Sequence, residues 1–188
     1  MRLIIGISGA TGVIYGIRLL QVLSEIKDIE THLIISKSGE LCIKYETDWK
    51  IDNVKAMANF SYGIDSIEAS IGSGSFKRDG MVVIPCSMKT LSALANSYDE
   101  NLMIRCGDVT LKQRSTLILV VRETPLHLGH LRNMTRVAEI GAVILPPVPA
   151  FYGKPQTIED LIDHTVGRVL DIFKIDHTLY QEWQGLKR

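Results

Sequence analysis

The chain has 188 residues, within the roughly 100–200 expected of one domain, and 46% hydrophobic against 22% charged residues with only 6 Pro exclude a disordered or collagen-like polymer. Lys and Arg total 21, as do Asp and Glu, so the zero formal net charge offers no bulk field for nucleic acid or an anionic membrane, and any anion must be met by local charges. No apolar run nears the roughly 20 residues of a bilayer span and no cleavage-site pattern follows Met1, so a cytoplasmic protein is expected; Cys42, Cys86 and Cys106 suit neither a disulfide framework nor a zinc site.

Leu3-Ile4-Ile5-Gly6-Ile7-Ser8 reads as a strand buried on both faces of a parallel sheet. After a glycine-rich turn, Val13, Ile17, Leu20 and Leu23 recur at helical spacing, predicting a helix that ends near Lys27. His32-Leu33-Ile34-Ile35 predicts the second strand, and Ser38 to Glu46 a second helix. A third helix is expected over Asp52 to Phe60, and an aperiodic functional loop over Ser66 to Gly80. Met81-Val82-Val83-Ile84-Pro85 predicts a third strand stopped by its proline. Leu117 to Val121 and Ala142 to Leu145 supply the fourth and fifth. Helices are expected at Lys89 to Ala95, Leu102 to Arg114 and Leu126 to Ile140. The last opens on the capping box Thr157-Ile158-Glu159-Asp160 and buries Ile162, Val166, Val169 and Phe173.

Five apolar strands alternating with helices predict a single α/β domain over residues 1–188: an open, Rossmann-like (flavodoxin-like) parallel sheet with helices on both faces. Ligands of such sheets bind beyond the carboxyl ends of the strands. The segment Gly6-Ile7-Ser8-Gly9-Ala10-Thr11-Gly12 can turn tightly and point free amides at an anion. Its GxxGxxG spacing departs from the GxGxxG dinucleotide fingerprint, and a Walker lysine is missing, so a packing turn is an equal reading. Ser36-Lys37-Ser38 and Pro85-Cys86-Ser87-Met88-Lys89-Thr90 place hydroxyls at helix starts, where capping competes with ligand binding. Cys86 reads as a packed small hydrophobe. Arg122-Glu123 sets an opposite-charge pair at the sheet rim, suited to a phosphate or flavin oxygen and to proton transfer. Pro149-Ala150-Phe151-Tyr152 offers a phenol. Arg105 and Lys112 share a helix face and, with Arg168, can cage a small phosphate ester, although a solvated face is the commoner outcome. His127 and His130 lack a carboxylate companion, and metal binding is not expected.

Taken together, these segments resemble the UbiX-type flavin prenyltransferase family from Leu3 to about Trp183. The likeness rests on the glycine loop, Ser36-Lys37, Glu46-Thr47, Ser73-Gly74-Ser75, Pro85-Cys86-Ser87, Asp108-Val109 with Leu111-Lys112, Arg122-Glu123 and Pro149-Ala150-Phe151-Tyr152. The variant around Ser73 to Met81 and Ser87 to Leu91 is most similar to the branch whose members are named as components of phenolic or hydroxyarylic acid decarboxylases. The resemblance implies a homododecamer with FMN bound where protomers meet. It further implies transfer of the dimethylallyl group of dimethylallyl phosphate to N5 and C6 of reduced FMN, the prenylated flavin then serving a UbiD-type decarboxylase. By that resemblance FMN would meet Gly9, Ala10, Thr11, Ser36, Ser87, Met88, Lys89, Thr90 and Arg122. The allyl phosphate would meet Lys112, Tyr152, Arg168 and Arg105, with Glu123 as acid or base and Glu46 as a supporting carboxylate.

Four positions depart from the family pattern: Thr11, Cys106-Gly107, Arg132, and Ile67 where some members place an aromatic wall. Competing expectations are a flavin-dependent cysteine-type decarboxylase, whose histidine and Pro-x-Met-Asn segment are missing here, and a non-catalytic FMN carrier, which needs no second phosphate site. An NAD-dependent oxidoreductase is disfavoured by the glycine spacing.

Overall fold

The computed structural model describes residues 1–183 and 185, so the last positions of the expected 1–188 domain lie partly outside the described residues. Six strands form one parallel sheet: β1 (Arg2–Ile7), β2 (Glu30–Ile35), β3 (Phe60–Tyr62), β4 (Gly80–Cys86), β5 (Thr116–Val121) and β6 (Val143–Ile144). Their spatial order is β3-β2-β1-β4-β5-β6. The chain winds outward from β1 in one direction and from β4 in the other, so the strand order reverses between them and opens a crevice at their carboxyl ends.

Alternation along each strand splits the core into two layers. Leu3, Ile5, Ile7, Leu33, Val82, Ile84, Ile118 and Val120 face one side, where α1 (Val13–Ser24) and α7 (Ile158–Ile172) pack together. Ile4, Ile34, Met81, Val83, Leu117 and Leu119 face the other, covered by α4 (Met88–Ala95), α5 (Leu102–Lys112) and α6 (Leu128–Glu139). Burial on both faces is why these strands read as continuous apolar runs. Two further helices, α2 (Lys37–Glu46) and α3 (Ile51–Ala56), join the first layer through Ile43 and Val54.

Four expectations are corrected. The sheet has a sixth strand, β3, which pairs only with His32–Ile34 at the sheet edge and leaves Phe60 and Ser61 exposed. The helix expected to reach Phe60 ends at Ala56. Pro85 does not stop its strand: β4 continues to Cys86 across a register shift between Val83 and Cys86, which removes the need for a ladder N–H at the proline. The helix expected from Leu126 starts at Leu128, because the Nδ1 of His127 accepts the amides of Gly129 (3.0 Å) and His130 (3.4 Å) as an N-cap. The capping box at Thr157 and Asp160 is formed as expected. No helix among the described residues is long and apolar enough to cross a membrane.

Candidate active site

At the β1/β4 crevice the turns after the central strands are tied together by one buried hydroxyl. Ser8 Oγ donates to the Pro85 carbonyl at 2.8 Å and accepts the Ser87 N–H at 2.8 Å, while the Ser8 N–H reaches the same carbonyl at 3.2 Å. Gly9 follows, pressed so closely on α2 that a Cβ there would lie 2.2 Å from the Cβ of Ser38. Only a glycine permits that approach. The turn is held further by Glu46, whose Oε2 accepts the Gly12 N–H at 2.8 Å.

Two helix starts open onto the crevice. Ser36 caps α2 by accepting the Gly39 amide at 3.0 Å, and Ser87 caps α4 by accepting the Thr90 amide at 3.3 Å. Asn101 caps α5 in the same manner. Between them lies a cavity of about 510 Å³. Its polar wall includes Gly9, Ser36, Ser87, Lys89 and Thr90; its apolar floor is Met88, Ala93, Met103 and Ile104; Glu123 stands at its edge. Two ion pairs frame the rim, Lys37 with Asp65 and Lys89 with Glu100, both at 2.7 Å. An apolar floor, small hydroxyls and helix N-termini suit a ligand that is part flat ring and part anionic chain, which is the character of a flavin nucleotide.

Of the residues expected at the flavin, Gly9, Ser36, Ser87, Met88, Lys89 and Thr90 line this cavity. Ala10 and Thr11 sit just beyond it on the glycine turn, Thr11 exposed. Arg122 follows β5, and its backbone N–H donates to the Cys86 carbonyl at 3.1 Å. Glu123 is exposed in the single chain and accepts the Thr124 amide at 2.9 Å.

The phosphate-ester set is divided within one chain. Arg105 and Lys112 belong to α5 on one face of the sheet, whereas Arg168 lies on α7 on the other. A cage of all three around one ester does not form inside a protomer. Arg105 is already bonded to Asp99 (2.9 Å) and to the Gly72 carbonyl (3.2 Å), and Lys112 is exposed at the end of α5. Tyr152 and Arg168 are on the same side: the Tyr152 hydroxyl is 2.8 Å from His164 Nε2, one helical turn before Arg168.

The thiols are structural. Burial pushes the Cys106 thiol up to about 12 and Cys86 higher still, so neither is a thiolate near neutrality. The residues that depart from the family pattern include Cys106, which donates to the Ile71 carbonyl in the core, and Ile67, which is exposed. Sequence reasoning passes over Ser8 and Asn101. A serine at the end of a buried strand is a weak signal, whereas an Asn before an apolar helix is a legible cap.

The Flavoprotein family model matches residues 1–170. The "Flavin prenyltransferase UbiX" of Escherichia coli (strain K12) is 56% identical over 186 residues, covering 98% of both chains. That of Thauera aromatica is 52% identical, covering 98% of this chain and 95% of its own. Among solved structures, a UbiX in complex with FMN and dimethylallyl pyrophosphate superimposes with a TM-score of 0.96 at 49% identity, covering 99% of this chain and 98% of that one. A dodecameric FMN-dependent UbiX-like decarboxylase from Escherichia coli O157:H7 gives 0.97 at 46%, covering 98% and 100%. The peptidyl-cysteine decarboxylase EpiD, at 16% identity and a TM-score of 0.67, shares the fold alone. With end-to-end identity above one half and a sheet that overlays almost completely, the chain belongs to the UbiX-type flavin prenyltransferase family of flavoproteins.

Proposed function

We propose that this protein is a flavin prenyltransferase that joins the dimethylallyl group of dimethylallyl phosphate to reduced FMN, working as one cytoplasmic domain in a homododecamer. The observation that carries the reading is the crevice cavity with its apolar floor and capped helix starts, in a chain 56% identical to a flavin prenyltransferase along its whole length. When bound, reduced FMN supplies nucleophilic N5 and C6, the two positions that accept the five-carbon group. Gly9, Ala10, Thr11, Ser36, Ser87, Met88, Lys89, Thr90 and Arg122 hold it.

Breaking the allylic C–O bond sends its electron pair out with the phosphate. Fixed cations stabilise that developing charge better than water that must reorganise. Lys112, Arg168, Arg105 and the Tyr152 hydroxyl serve this role. Because α5 and α7 cover opposite faces of the sheet, the set is completed where protomers adjoin, which gives the dodecamer a chemical purpose. Burial between protomers also keeps water from an allylic cation. Glu123 takes up and returns the proton displaced as the new bonds form, and Glu46 supports the glycine turn through Gly12. The product then serves a UbiD-type aromatic acid decarboxylase.

The test is an anaerobic incubation of the purified protein with reduced FMN and dimethylallyl phosphate, the released flavin being weighed by mass spectrometry. A gain of one C5H8 unit is expected. Unmodified flavin, together with loss of carbon dioxide from a cysteinyl or aromatic acid without a second protein, overturns the reading.

A further inference from the structure

The outer face of α7 carries a cluster that the reaction as described leaves unused. Arg168 donates through Nη1 to Asp171 Oδ2 at 2.9 Å and to the Tyr180 hydroxyl oxygen at 3.3 Å. The Tyr180 hydroxyl itself donates to Asp171 Oδ2. The other carboxylate oxygen, Oδ1, lies 3.0 Å from His177 Nε2. His177 Nδ1 accepts the Leu179 N–H at 3.2 Å, so the ring proton sits on Nε2 and is donated to Asp171. Among the described residues, Nε and Nη2 of Arg168 have no partner. That is the edge that grips a carboxylate in the Arg18–Asp163 pair of this same protein.

A lone i,i+3 ion pair on a helix surface orders little. This one differs, because its carboxylate receives three donors, one of them from a histidine whose side chain is only 8% exposed. Burial works against the Asp171 charge, but hydrogen bonds from Tyr180 and His177 hold its pKa below the ordinary carboxylate value, so the anchor stays ionised. The segment that brings Tyr180 and His177 to α7 crosses the helix at Gly167. A Cβ there would lie 2.6 Å from the Tyr180 ring and 2.8 Å from His177. The Tyr180 ring also packs on His164, with centroids 4.8 Å apart, and His164 holds the Tyr152 hydroxyl. One tyrosine thus touches the supports of both groups assigned to the phosphate on this side of the sheet.

We propose that Asp171, bridged by Tyr180 and His177, is a positioning residue for Arg168, holding the guanidinium so that its Nε/Nη2 edge faces the phosphate of the allyl ester. The segment around residues 177–180 is then part of the substrate site. This rests on the reading of Arg168 as a phosphate ligand. An arginine side chain free to sample its rotamers pays their entropy when it grips the anion. One already fixed through Nη1 has lost that freedom on folding.

Steady-state kinetics of the assembled protein, with saturating reduced FMN and varied dimethylallyl phosphate, test this on Asp171→Asn, Tyr180→Phe and Arg168→Met. Tyr180→Phe keeps the ring and is expected to raise KM for the ester about 3- to 5-fold, and Asp171→Asn about 10-fold, with FMN affinity and melting temperature unchanged. On the Arg168→Met background, Asp171→Asn is expected to add nothing, which a merely structural role would not produce. If Arg168→Met raises KM while the other two variants leave it unchanged, the positioning role is refuted. It is equally refuted if Asp171→Asn acts additively, or lowers FMN affinity and melting temperature in step with its effect on KM. If Arg168→Met itself leaves KM unchanged, the underlying assignment of Arg168 fails instead.

Discussion

Replacing Ser8 by Ala isolates the bond that ties the two central turns. The hydroxyl is 1% exposed and makes two contacts of 2.8 Å, one to the Pro85 carbonyl and one from the Ser87 N–H. In Ser8→Ala the Pro85 carbonyl keeps the Ser8 N–H at 3.2 Å, but the Ser87 N–H loses the oxygen it donates to. Orphaning one buried donor costs roughly 1–3 kcal/mol, and the variant removes too little volume for a cavity to add much. The expected loss is about 2 kcal/mol, roughly thirtyfold in the folding equilibrium. Ser87 also lines the cavity, so FMN affinity should fall several-fold with it. Urea unfolding at a fixed protein concentration, the chain being oligomeric by proposal, measures the first, and quenching of flavin fluorescence the second. Ser24→Ala is the control, since that hydroxyl bonds the Gln21 carbonyl at an exposed helix end. A Ser8→Ala loss no larger than that of Ser24→Ala would refute the argument.

Three other outcomes are expected. Glu123→Gln should leave FMN binding within about twofold while slowing prenylation by roughly 10²-fold or more, because shape is kept and proton transfer is lost; unchanged turnover in a stopped assay excludes the role. His32 is 3% exposed, and burial lowers its pKa from 6.5 despite the pull of Glu30, whose carboxylate lies 2.8 Å from Nε2. The unfolded chain therefore takes up a proton near pH 6.5 that the folded chain refuses, and stability should decline as pH falls from about 7 toward 5. Urea melts of the protein and of His32→Gln should show the smaller slope in the variant, and equal slopes would contradict the assignment. Asn101→Ala removes the cap of α5, whose side chain accepts the Ile104 amide at 3.2 Å, and should cost about 1 kcal/mol of stability in the same assay. A loss below about 0.3 kcal/mol would show that another group caps that helix.

Much of this protein is legible before any tertiary contact is known. Strands buried on both faces must be apolar throughout, and β1, β2, β4 and β5 announce themselves in that way. The capping box at Thr157 and the serines that start α2 and α4 are local chemistry, readable over four residues, and so is the flavin side of the cavity. What is not legible there depends on distant partners. β3 is a strand only because His32–Ile34 offers it an edge, and Pro85 stays within β4 only because the register shifts around it. Ser8 looks like any strand-end serine until β4 lies beside it. Above all, seven-residue spacing along a helix says that Arg105 and Lys112 share a face, yet nothing in the linear order tells which side of the sheet that helix covers. Crossover direction decides it, setting α5 and α7 on opposite sides and dividing the anion-binding cations between them. Local rules of propensity and capping act over a few residues and are written in the chain, whereas the meeting of two rims is a property of how the sheet is wound.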